Sequence, residues 1–447
     1  MKKIIICIAF TYLYAFQGEI ISTEFMDRME IEEVQQSLDD TFGSYAPEAQ
    51  YSISLYKIIY ETIDPFGNPI EASGIISFPE NLNQAFPILS FQHGTVVARD
   101  NVASESGFNP LSLWLTSTGY IYLEPDYIGL GESQIMHPYC LENPSAWSVI
   151  DILRASKQFC IESAEIESNE EFILAGYSEG GYVTMAAHMM IEEEVNDEFN
   201  LLASFPMAGP YDLSGVMVDL MLEAAPYEEP FYLPYTLISY ITYYEMGTLY
   251  DYFLPEYAEM FEYLFNGDYS GSYINSLLPS IPISVMLPEV IEDFSYNMNH
   301  PLRLYLEENN LWDWSPQNDM YMFHGLGDQL VPYENSLVAY NAFLESGSES
   351  VSLYSVPEEL GGHQEVAIYC LISAYQISEE NYKNIIFKGD LNYDLAFNIQ
   401  DALIIISYIL GNQEDIENLE FWIADLDYNN DINVLDVLIL INQILNN

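Results

Sequence analysis

Basic residues are scarce in this sequence. Its 447 residues include 10 lysines and arginines against 69 aspartates and glutamates, which gives a formal net charge of −59 at pH 7. Proteins that bind nucleic acids neutralise phosphates with lysine and arginine, so this composition argues against a nucleic-acid partner. A surface this acidic repels itself, and salt or divalent cations in the surrounding medium would screen it.

Long apolar runs are missing beyond the first residues. Lys2 and Lys3 precede an apolar run over residues 4–16, which is too short to span a bilayer and has the pattern of an export signal. Later runs stay below the ~18 apolar residues of a membrane-spanning helix. The sequence predicts a signal peptide over residues 1–18 and no transmembrane anchor. It therefore predicts a secreted protein that is extracellular or attached to the cell surface.

Cysteine is also rare. Cys7 lies in the predicted signal, which leaves Cys140, Cys160 and Cys370, an odd number. In an oxidising compartment, Cys140 and Cys160 either form a disulfide that closes a loop or remain free thiols. Their spacing matches no zinc motif.

Apolar residues, by contrast, make up 50% of the chain and aromatic residues 15%, which is ample for a folded core. From about Ser52, strand and helix patterns alternate, and this predicts the α/β class with a mostly parallel sheet covered by helices on both faces. Strands are predicted at 51–62, 71–78, 87–92, 119–124, 171–176, 202–207, 319–324 and 351–356. Helices are predicted at 145–158, from Glu179, at 333–345 and after His363.

Residues 211–300 interrupt this alternation. They are rich in tyrosine, phenylalanine and proline and show no regular strand spacing, so we interpret them as a helical cap. The aromatic side chains either pack only against one another and the core, or some of them line a hydrophobic acyl-binding pocket.

Ser178 has the strongest chemical signal. It lies in Gly176-Tyr177-Ser178-Glu179-Gly180, directly after an apolar strand and directly before a helix. This is the G-x-S-x-G pattern in the context that makes it meaningful, a strained turn that presents a serine hydroxyl at the edge of a sheet. Ser178 is therefore the predicted nucleophile.

A serine hydroxyl needs a base, and in this arrangement an acid and then a histidine follow the serine along the chain. Of six histidines, His363 alone lies in the loop after the last predicted strand. Asp328, in the glycine-rich loop after the strand at 319–324, is the predicted acid that holds the imidazole. Asp319 is a weaker alternative.

The negatively charged oxygen that develops during acyl transfer needs two backbone N–H donors. One is usually that of the residue after the nucleophile, here Glu179. The other is predicted at Gly94 or Thr95, in the loop after an early strand. We expect the carboxylate of Glu179 to point away from the site, so that only its backbone takes part.

These motifs, together with Asp126-Tyr127-Ile128-Gly129-Leu130-Gly131 and His137-Pro138-Tyr139, resemble the secretory lipase family of α/β-hydrolases over roughly residues 50–380. The resemblance implies the α/β-hydrolase fold and a serine carboxylester hydrolase, an esterase or lipase, with a helical cap over an acyl-binding pocket. It implies no cofactor for catalysis. The predicted hydrolase domain covers residues 19–380, with the cap at 211–300.

The end of the chain repeats itself at an offset of 35 residues (425 − 390). Each copy has oxygen-bearing side chains at positions 1, 3, 5 and 12 of a twelve-residue loop, followed by an apolar helix, as in calcium-binding loops. The predicted ligands are Asp390, Asn392, Asp394 and Asp401 in the first loop and Asp425, Asp427, Asn429 and Asp436 in the second. Position 6, usually glycine, is Leu395 or Asn430.

Residues 386–447 thus resemble a dockerin, a small all-α calcium-binding domain. The resemblance implies a cohesin-like or cell-surface protein partner in addition to the ester or lipid substrate. The alternatives to a tethered ester hydrolase are a serine peptidase or amidase of the same fold, a polysaccharide-deacylating esterase, and a binding protein without activity. The intact set of serine, aspartate and histidine argues against the last.

Overall fold

The computed structural model describes residues 17–163, 165–412 and 416–446. Most of the predicted signal peptide, including Cys7, therefore lies outside the described residues. No helix in the described part of the chain is long and apolar enough to cross a membrane.

The described residues form one ten-stranded sheet. The strands are β1 (Ile20–Met29), β2 (Ile53–Ile63), β3 (Pro69–Pro79), β4 (Gln84–Gln92), β5 (Ile121–Pro125), β6 (Glu167–Tyr177), β7 (Asn200–Met207), β8 (Asp319–Gly325), β9 (Val351–Val356) and β10 (Ile386–Phe387). Their order is β1-β2-β3-β5-β4-β6-β7-β8-β9, and β10 pairs with β4. The run from β5 to β9 is parallel, whereas β1, β2 and β3 are antiparallel additions at one edge.

Helices fill the intervals between the strands. They are α1 (Ile31–Phe42), α2 (Ala103–Ser106), α3 (Pro110–Ser117), α4 (Glu142–Glu162), α5 (Glu179–Glu194), α6 (Val218–Met221), α7 (Tyr232–Tyr243), α8 (Pro255–Leu264), α9 (Gly271–Asn275), α10 (Pro288–Tyr296), α11 (Pro301–Glu308), α12 (Glu334–Ser346), α13 (His363–Asn381), α14 (Ile399–Ile409), α15 (Asn418–Ala424) and α16 (Val434–Asn446). A π-helical turn covers Leu213–Met217, and 3-10 turns cover Gly43–Tyr45, Leu249–Asp251, Pro282–Val285 and Glu358–Leu360.

The central strands are apolar on both faces because helices cover both. Eight of the nine residues of β4 are buried, the pattern expected of a parallel strand inside a layered α/β domain. One apolar cluster packs α4 and α5 against the sheet. A second packs α1, α3 and α13 against the opposite face. This architecture brings the carboxyl ends of β4, β6, β8 and β9 to one edge.

The segment between β7 and β8 is helical, as the sequence predicts. It contains the π-helical turn, helices α6 to α11 and two of the 3-10 turns, with one isolated bridge between Phe253 and Met286. Proline occupies the first turn of α8, α10 and α11, where its missing N–H costs nothing and its fixed φ suits a helix. The proline content of this segment thus marks the starts of short helices.

The structure adds two features that the sequence left open. The chain before Ser52 contains β1 and α1, which the alternation pattern did not reveal, because β1 is an edge strand with mostly exposed residues. Cys140 and Cys160 are free buried thiols, as is Cys370. Of the two alternatives that the sequence left open for Cys140 and Cys160, the structure shows free thiols, and both residues pack in the apolar cluster that contains α4.

The C-terminal helices contact the sheet directly. Ile386 and Phe387 extend it by pairing with Ala85 and Gln84 at the start of β4. The Lys388 ammonium lies 3.6 Å from the ring centre of Tyr428 and 4.9 Å from that of Trp422. Helices α14, α15 and α16 enclose their own apolar cluster, to which Ala85 also belongs.

The pH dependence of stability follows from three carboxyl groups in and beside α4. Burial raises the pKa of Glu142, Asp151 and Glu167 to about 7. A pKa above that of the unfolded chain gives stability that is present at low pH and lost as pH rises through the folded value. We expect the free energy of unfolding, measured in urea at constant ionic strength, to be larger at about pH 5.5 than at about pH 8.

The Asp151→Asn variant is the control for this expectation, because its amide carries no titrating proton. It is expected to reduce the difference between the two pH values. An unfolding free energy that rises from about pH 5.5 to about pH 8 in the unmodified chain would contradict the assignment.

Candidate active site

Ser178 lies on a sharp turn between β6, which ends at Tyr177, and α5, which begins at Glu179. Its φ of 64° and ψ of −124° are rarely adopted by residues other than glycine and store backbone strain. The backbone N–H of Ser178 donates to the carbonyl of Met207 at the end of β7. The sheet therefore fixes the turn that presents the hydroxyl.

The glycines around Ser178 are required by close backbone contacts. A Cβ atom on Gly180 would lie 1.9 Å from the carbonyl oxygen of Gln92, and one on Gly176 would lie 2.2 Å from that of Gly180. Either atom would overlap its neighbour, so the first turn of α5 can pack against the ends of β4 and β6 only with glycine at both positions.

Ser178, His363 and Asp328 meet at this edge of the sheet. The Nε2 atom of His363 lies 2.8 Å from the Oγ atom of Ser178, and its Nδ1 atom lies 2.5 Å from Oδ2 of Asp328. All three side chains are buried. A carboxylate can only accept, so Nδ1 carries a proton and Nε2 is left to accept the hydrogen bond of the Ser178 hydroxyl.

Asp328 is held as a carboxylate. Burial by itself would raise the pKa of Asp328, but hydrogen bonds from His324 and His363 outweigh burial and lower it to about 2. Its Oδ1 atom accepts the backbone N–H groups of Leu330 and Val331 at 3.0 and 2.9 Å. Asp319, the alternative from the sequence, instead accepts a hydrogen bond from Tyr382.

The predicted oxyanion donors also approach the nucleophile. Glu179 is the first residue of α5, where backbone N–H groups have no acceptor within the helix. A Cβ atom built on Gly94 would lie 3.7 Å from the Cβ atom of Ser178. The Thr95 hydroxyl lies 3.0 Å from the hydroxyl of Tyr139. The structure thus places Gly94 beside Ser178 and directs the Thr95 side chain toward Tyr139.

The side chain of Glu179 departs from our expectation. Its carboxyl group does not point away from the site but is buried, with Oε1 2.6 Å from Nε2 of His137. The partner lies 42 residues away in sequence, so no local pattern revealed the contact. The one available signal was the His137-Pro138-Tyr139 motif, to which the sequence assigned no role.

A cleft opens above Ser178, with about 750 Å³ of empty space when the part open to solvent is included. Its walls come from the segment between β7 and β8 and from the loop after β8, and they are mainly apolar. They include Leu213, Met217, Leu220, Met221, Tyr227, Tyr232, Leu233, Leu330 and Val331. Tyr227 and Tyr232 line this cleft whereas Tyr240 is fully buried, so the aromatic residues of the cap do not pack only against one another and the core.

Solved structures of known proteins share this architecture. LipA from Xanthomonas oryzae, a rice cell wall degrading esterase, is 26% identical with a TM-score of 0.72, over 82% of this chain and 98% of that chain. A Legionella pneumophila protein classed as a hydrolase is 27% identical with a TM-score of 0.74, over 82% and 100%. Candida antarctica lipase A shares the fold at 13% identity and a TM-score of 0.61, over 82% and 83%.

The end of the chain has a match of its own. Residues 388–445 match the family model of the Dockerin type I domain. The chain has the α/β-hydrolase fold and carries a C-terminal dockerin type I domain. None of the curated proteins compared with it gives a significant sequence match. The fold class and the dockerin-like module predicted from the sequence are therefore confirmed.

The second loop of the dockerin domain gathers carboxylates. One oxygen each of Asp425, Asp427 and Asp436 lies within 4.8 Å of the others, and Asn429 follows at position 5 of the loop. Asp425 and Asp436 are buried, which is costly for charged groups without a partner. Hard oxygen donors in this number and spacing fit Ca²⁺.

The first loop carries its carboxylates at positions 1, 5 and 12, whereas the second carries them at positions 1, 3 and 12. Asp390 accepts backbone N–H groups of Asp394 and Leu395, and Asp401 accepts those of Leu391 and Asn392. Among the described residues, only the second loop brings three carboxylates within 4.8 Å of one another. In both loops an asparagine amide donates to the neighbouring aspartate, from Asn392 to Asp394 and from Asn429 to Asp427.

Both loops make the turn that glycine usually makes at position 6. Leu395 has a φ of 61° and Asn430 a φ of 60°. Asparagine tolerates this left-handed conformation, but for leucine it is uncommon. The first loop therefore reaches the required geometry at a greater conformational cost than the second.

Proposed function

We propose that this chain is a secreted serine carboxylester hydrolase, an esterase or lipase, that acts through Ser178, His363 and Asp328 and an acyl-enzyme intermediate. The observation that carries the proposal is the hydrogen-bonded series from Ser178 through His363 to Asp328 at the foot of an apolar cleft. The esterase named among its structural neighbours supports an ester substrate.

The proposed reaction proceeds in two stages. The Nε2 atom of His363 takes the hydroxyl proton of Ser178 while Oγ forms a bond to the acyl carbon. Backbone N–H groups of Glu179 and of Gly94 or Thr95 stabilise the oxyanion. The carbon–oxygen bond to the alcohol breaks, and the alcohol leaves with the proton from His363. Water then repeats the sequence and releases the acid.

The cleft supports an apolar acyl chain as the substrate group. Its lining residues bind by burial of hydrocarbon, at about 0.8 kcal/mol for each methylene. We expect the purified protein to hydrolyse p-nitrophenyl esters with kcat/KM rising with chain length to a maximum. Leu220→Trp, which narrows the cleft, is expected to lower kcat/KM for the longer esters by about tenfold or more and to shift the maximum to shorter chains.

Leu277→Trp is the matched control, because Leu277 is exposed and does not line the cleft. It is expected to leave the chain-length profile unchanged. Equal losses of kcat/KM for the longer esters in both variants would show that this cleft does not bind the acyl chain.

Cleavage of peptide amides without cleavage of esters would favour the serine peptidase or amidase.

A polysaccharide-deacylating esterase is the second candidate. It is favoured by one observation, that the Xanthomonas oryzae neighbour is described as degrading rice cell walls. Release of acetate from acetylated xylan, with little activity on long-chain p-nitrophenyl esters, would favour this candidate over a lipase.

We further propose that the dockerin domain tethers the enzyme outside the cell to a cohesin-like or other cell-surface protein. Calcium would be held by Asp425, Asp427, Asn429 and Asp436 in the second loop and by Asp390, Asn392, Asp394 and Asp401 in the first. The family of the domain supports both the partner and the metal. Bound calcium would neutralise the clustered carboxylates and fix each loop.

Removing a calcium ligand should have a local effect. Asp425→Ala is expected to reduce the calcium bound by the full chain by about one ion, because Asp425 is a buried member of the carboxylate group in the second loop. Isothermal titration with Ca²⁺ measures the stoichiometry. Asp431→Ala, at an exposed position whose side chain lies outside that group, should bind as much calcium as the unmodified chain. Equal stoichiometry in both variants would contradict the ligand assignment.

A further inference from the structure

The pair formed by His137 and Glu179 lies next to the proposed nucleophile and has no role in the reaction described so far. Both side chains are almost fully buried, at 5% and 2% exposure. Glu179 adjoins Ser178 in sequence and lines the same cleft. Its second carboxyl oxygen, Oε2, is buried and has no hydrogen-bond partner among the described residues.

The contacts of the His137 ring fix the number of protons in the pair. The Nδ1 atom lies 2.7 Å from the carbonyl oxygen of Ile128, which only accepts, so Nδ1 carries a proton. The Nε2 atom lies 2.6 Å from Oε1 of Glu179. Two lone pairs at that distance would repel, so a second proton lies between Nε2 and Oε1. The pair is therefore neutral as a whole, whichever of the two atoms holds that proton.

Among the described residues, no lysine or arginine bonds to the Glu179 carboxyl; Arg99, whose charge acts on Tyr235, donates instead to the carbonyl oxygens of Gly129 and Ile135. Tyr127, Tyr139 and Cys140 face Glu179 from the loop after β5, and Tyr232 and Tyr235 face it from the start of α7. Burial raises the pKa of each of these groups, which keeps them neutral. On its own helix, Glu179 follows Ser178. His137 is thus the group that compensates the Glu179 carboxyl.

The loop that carries His137 is built for this contact. Gly129 has a φ of 90°, and a Cβ atom there would lie 2.4 Å from the Cα atom of His137. The His137 ring also stacks on Tyr127, with ring centres 5.9 Å apart and planes 16° from parallel. The glycine-rich motif and the histidine motif of the sequence therefore act together to hold one imidazole against Glu179.

A negative charge at Glu179 would oppose the proposed reaction. The backbone N–H of Glu179 is one of the donors assigned to the developing oxyanion, and a carboxylate on the same residue would repel that oxyanion in a site of low dielectric. We propose that His137 is a positioning residue that shares a proton with Glu179, leaves the pair without net charge and holds the Glu179 N–H toward the oxyanion. The inference rests on the proposed function, because it assumes that Ser178 is the nucleophile.

The test measures the rate at which a fluorophosphonate probe reacts with Ser178. This reaction also develops negative charge on an oxygen beside the nucleophile, and it does not depend on the identity of the natural substrate. Full-length unmodified protein, Glu179→Gln, His137→Phe and the double variant are compared from about pH 5 to about pH 10. Phenylalanine keeps an aromatic ring at position 137 but removes both nitrogens, and glutamine keeps the shape of Glu179 without its charge.

We expect the rate of His137→Phe, divided by that of the double variant, to be near one at low pH and to fall by about 100-fold toward alkaline pH. The division cancels the pH effects on the rest of the site, which are common to both proteins. The double variant is expected to react within about tenfold of Glu179→Gln, because removal of the charge makes His137 dispensable. A purely structural role for His137 would give no such rescue.

A ratio that stays constant across the pH range, or a double variant as slow as His137→Phe, would overturn the inference. If circular dichroism shows that His137→Phe does not fold, the rate of the unmodified protein is divided by that of Glu179→Gln instead. We expect this second ratio to fall at alkaline pH. A second ratio that stays constant would overturn the inference. Failure of the probe to label Ser178 in the unmodified protein would instead overturn the proposed function, and this inference with it.

Discussion

Replacing Ser178 with alanine is expected to lower kcat for ester hydrolysis by about 10⁶-fold. Loss of the nucleophile in serine hydrolases removes the covalent route and leaves only the residual rate due to binding and oxyanion stabilisation. The Ser178 hydroxyl is the group 2.8 Å from Nε2 of His363, and alanine leaves that base with no proton to take. The measurement is the steady-state rate with the best p-nitrophenyl ester of the chain-length series.

Ser276→Ala provides the matched control. Ser276 is an exposed serine of the cap segment, and its hydroxyl donates to the nearby carbonyl of Tyr273. The activity of this variant should equal that of the unmodified protein. Thermal unfolding should show that Ser178→Ala is folded, because the substitution removes one oxygen atom and leaves the apolar contacts of the core in place. A Ser178→Ala protein with more than about 1% of the original kcat would rule out Ser178 as the nucleophile.

Asp328→Asn is expected to lower kcat by about 10⁴-fold with little change in KM. The carboxylate accepts the Nδ1 proton of His363 at 2.5 Å. An asparagine amide can instead donate a hydrogen bond to Nδ1, and the ring proton then lies on Nε2. A protonated Nε2 atom faces Ser178 but cannot accept the hydroxyl proton. The geometry of the site is kept while its base is lost. The pH profile and kcat of the variant measure this effect.

Asp319→Asn makes the same chemical change at the start of the same strand, β8. Asp319 is exposed and bonds to Tyr382, away from His363. Its variant should retain kcat within about threefold, as surface substitutions usually do. If Asp319→Asn were the damaging change and Asp328→Asn were mild, the choice of acid made from both the sequence and the structure would be wrong.

The site residues were predictable from sequence because their order along the chain follows from the fold. The strand before Ser178 and the helix after it are apolar and continuous, and the glycines at 176 and 180 mark a backbone packed against β4. Once Ser178 was placed, the strand-end loops left few places for Asp328 and His363. Their assignment as catalytic residues is a proposal that the observed geometry supports.

Contacts between distant segments could not be predicted in the same way. His137 and Glu179 meet because a loop with glycine at 129 brings the imidazole to the first turn of α5, and nothing in either local sequence specifies the other. Whether Cys140 and Cys160 are bonded could not be predicted either. Both are buried in an apolar environment, which suits a free thiol as well as a disulfide.

The edge strand β1 was not predicted from the sequence for a different reason. Sequence patterns reveal strands through burial, and most residues of β1 are exposed. The dockerin module was predicted from the sequence because oxygen-bearing side chains at fixed spacing are a strong pattern in themselves. Even there, the left-handed turn at Leu395 was not indicated by its residue type, and the remaining geometry of the loop imposes it.

The most direct test of the account is to identify the covalent intermediate. The unmodified protein is mixed with a p-nitrophenyl ester, quenched in acid during turnover, digested and analysed by mass spectrometry. We expect the peptide that contains Ser178 to gain the mass of the acyl group alone, since p-nitrophenol has left, and we expect no such gain on the Ser178→Ala protein. An acyl group on a different residue, or rapid hydrolysis with no acylated peptide and no burst of p-nitrophenol, would contradict the account.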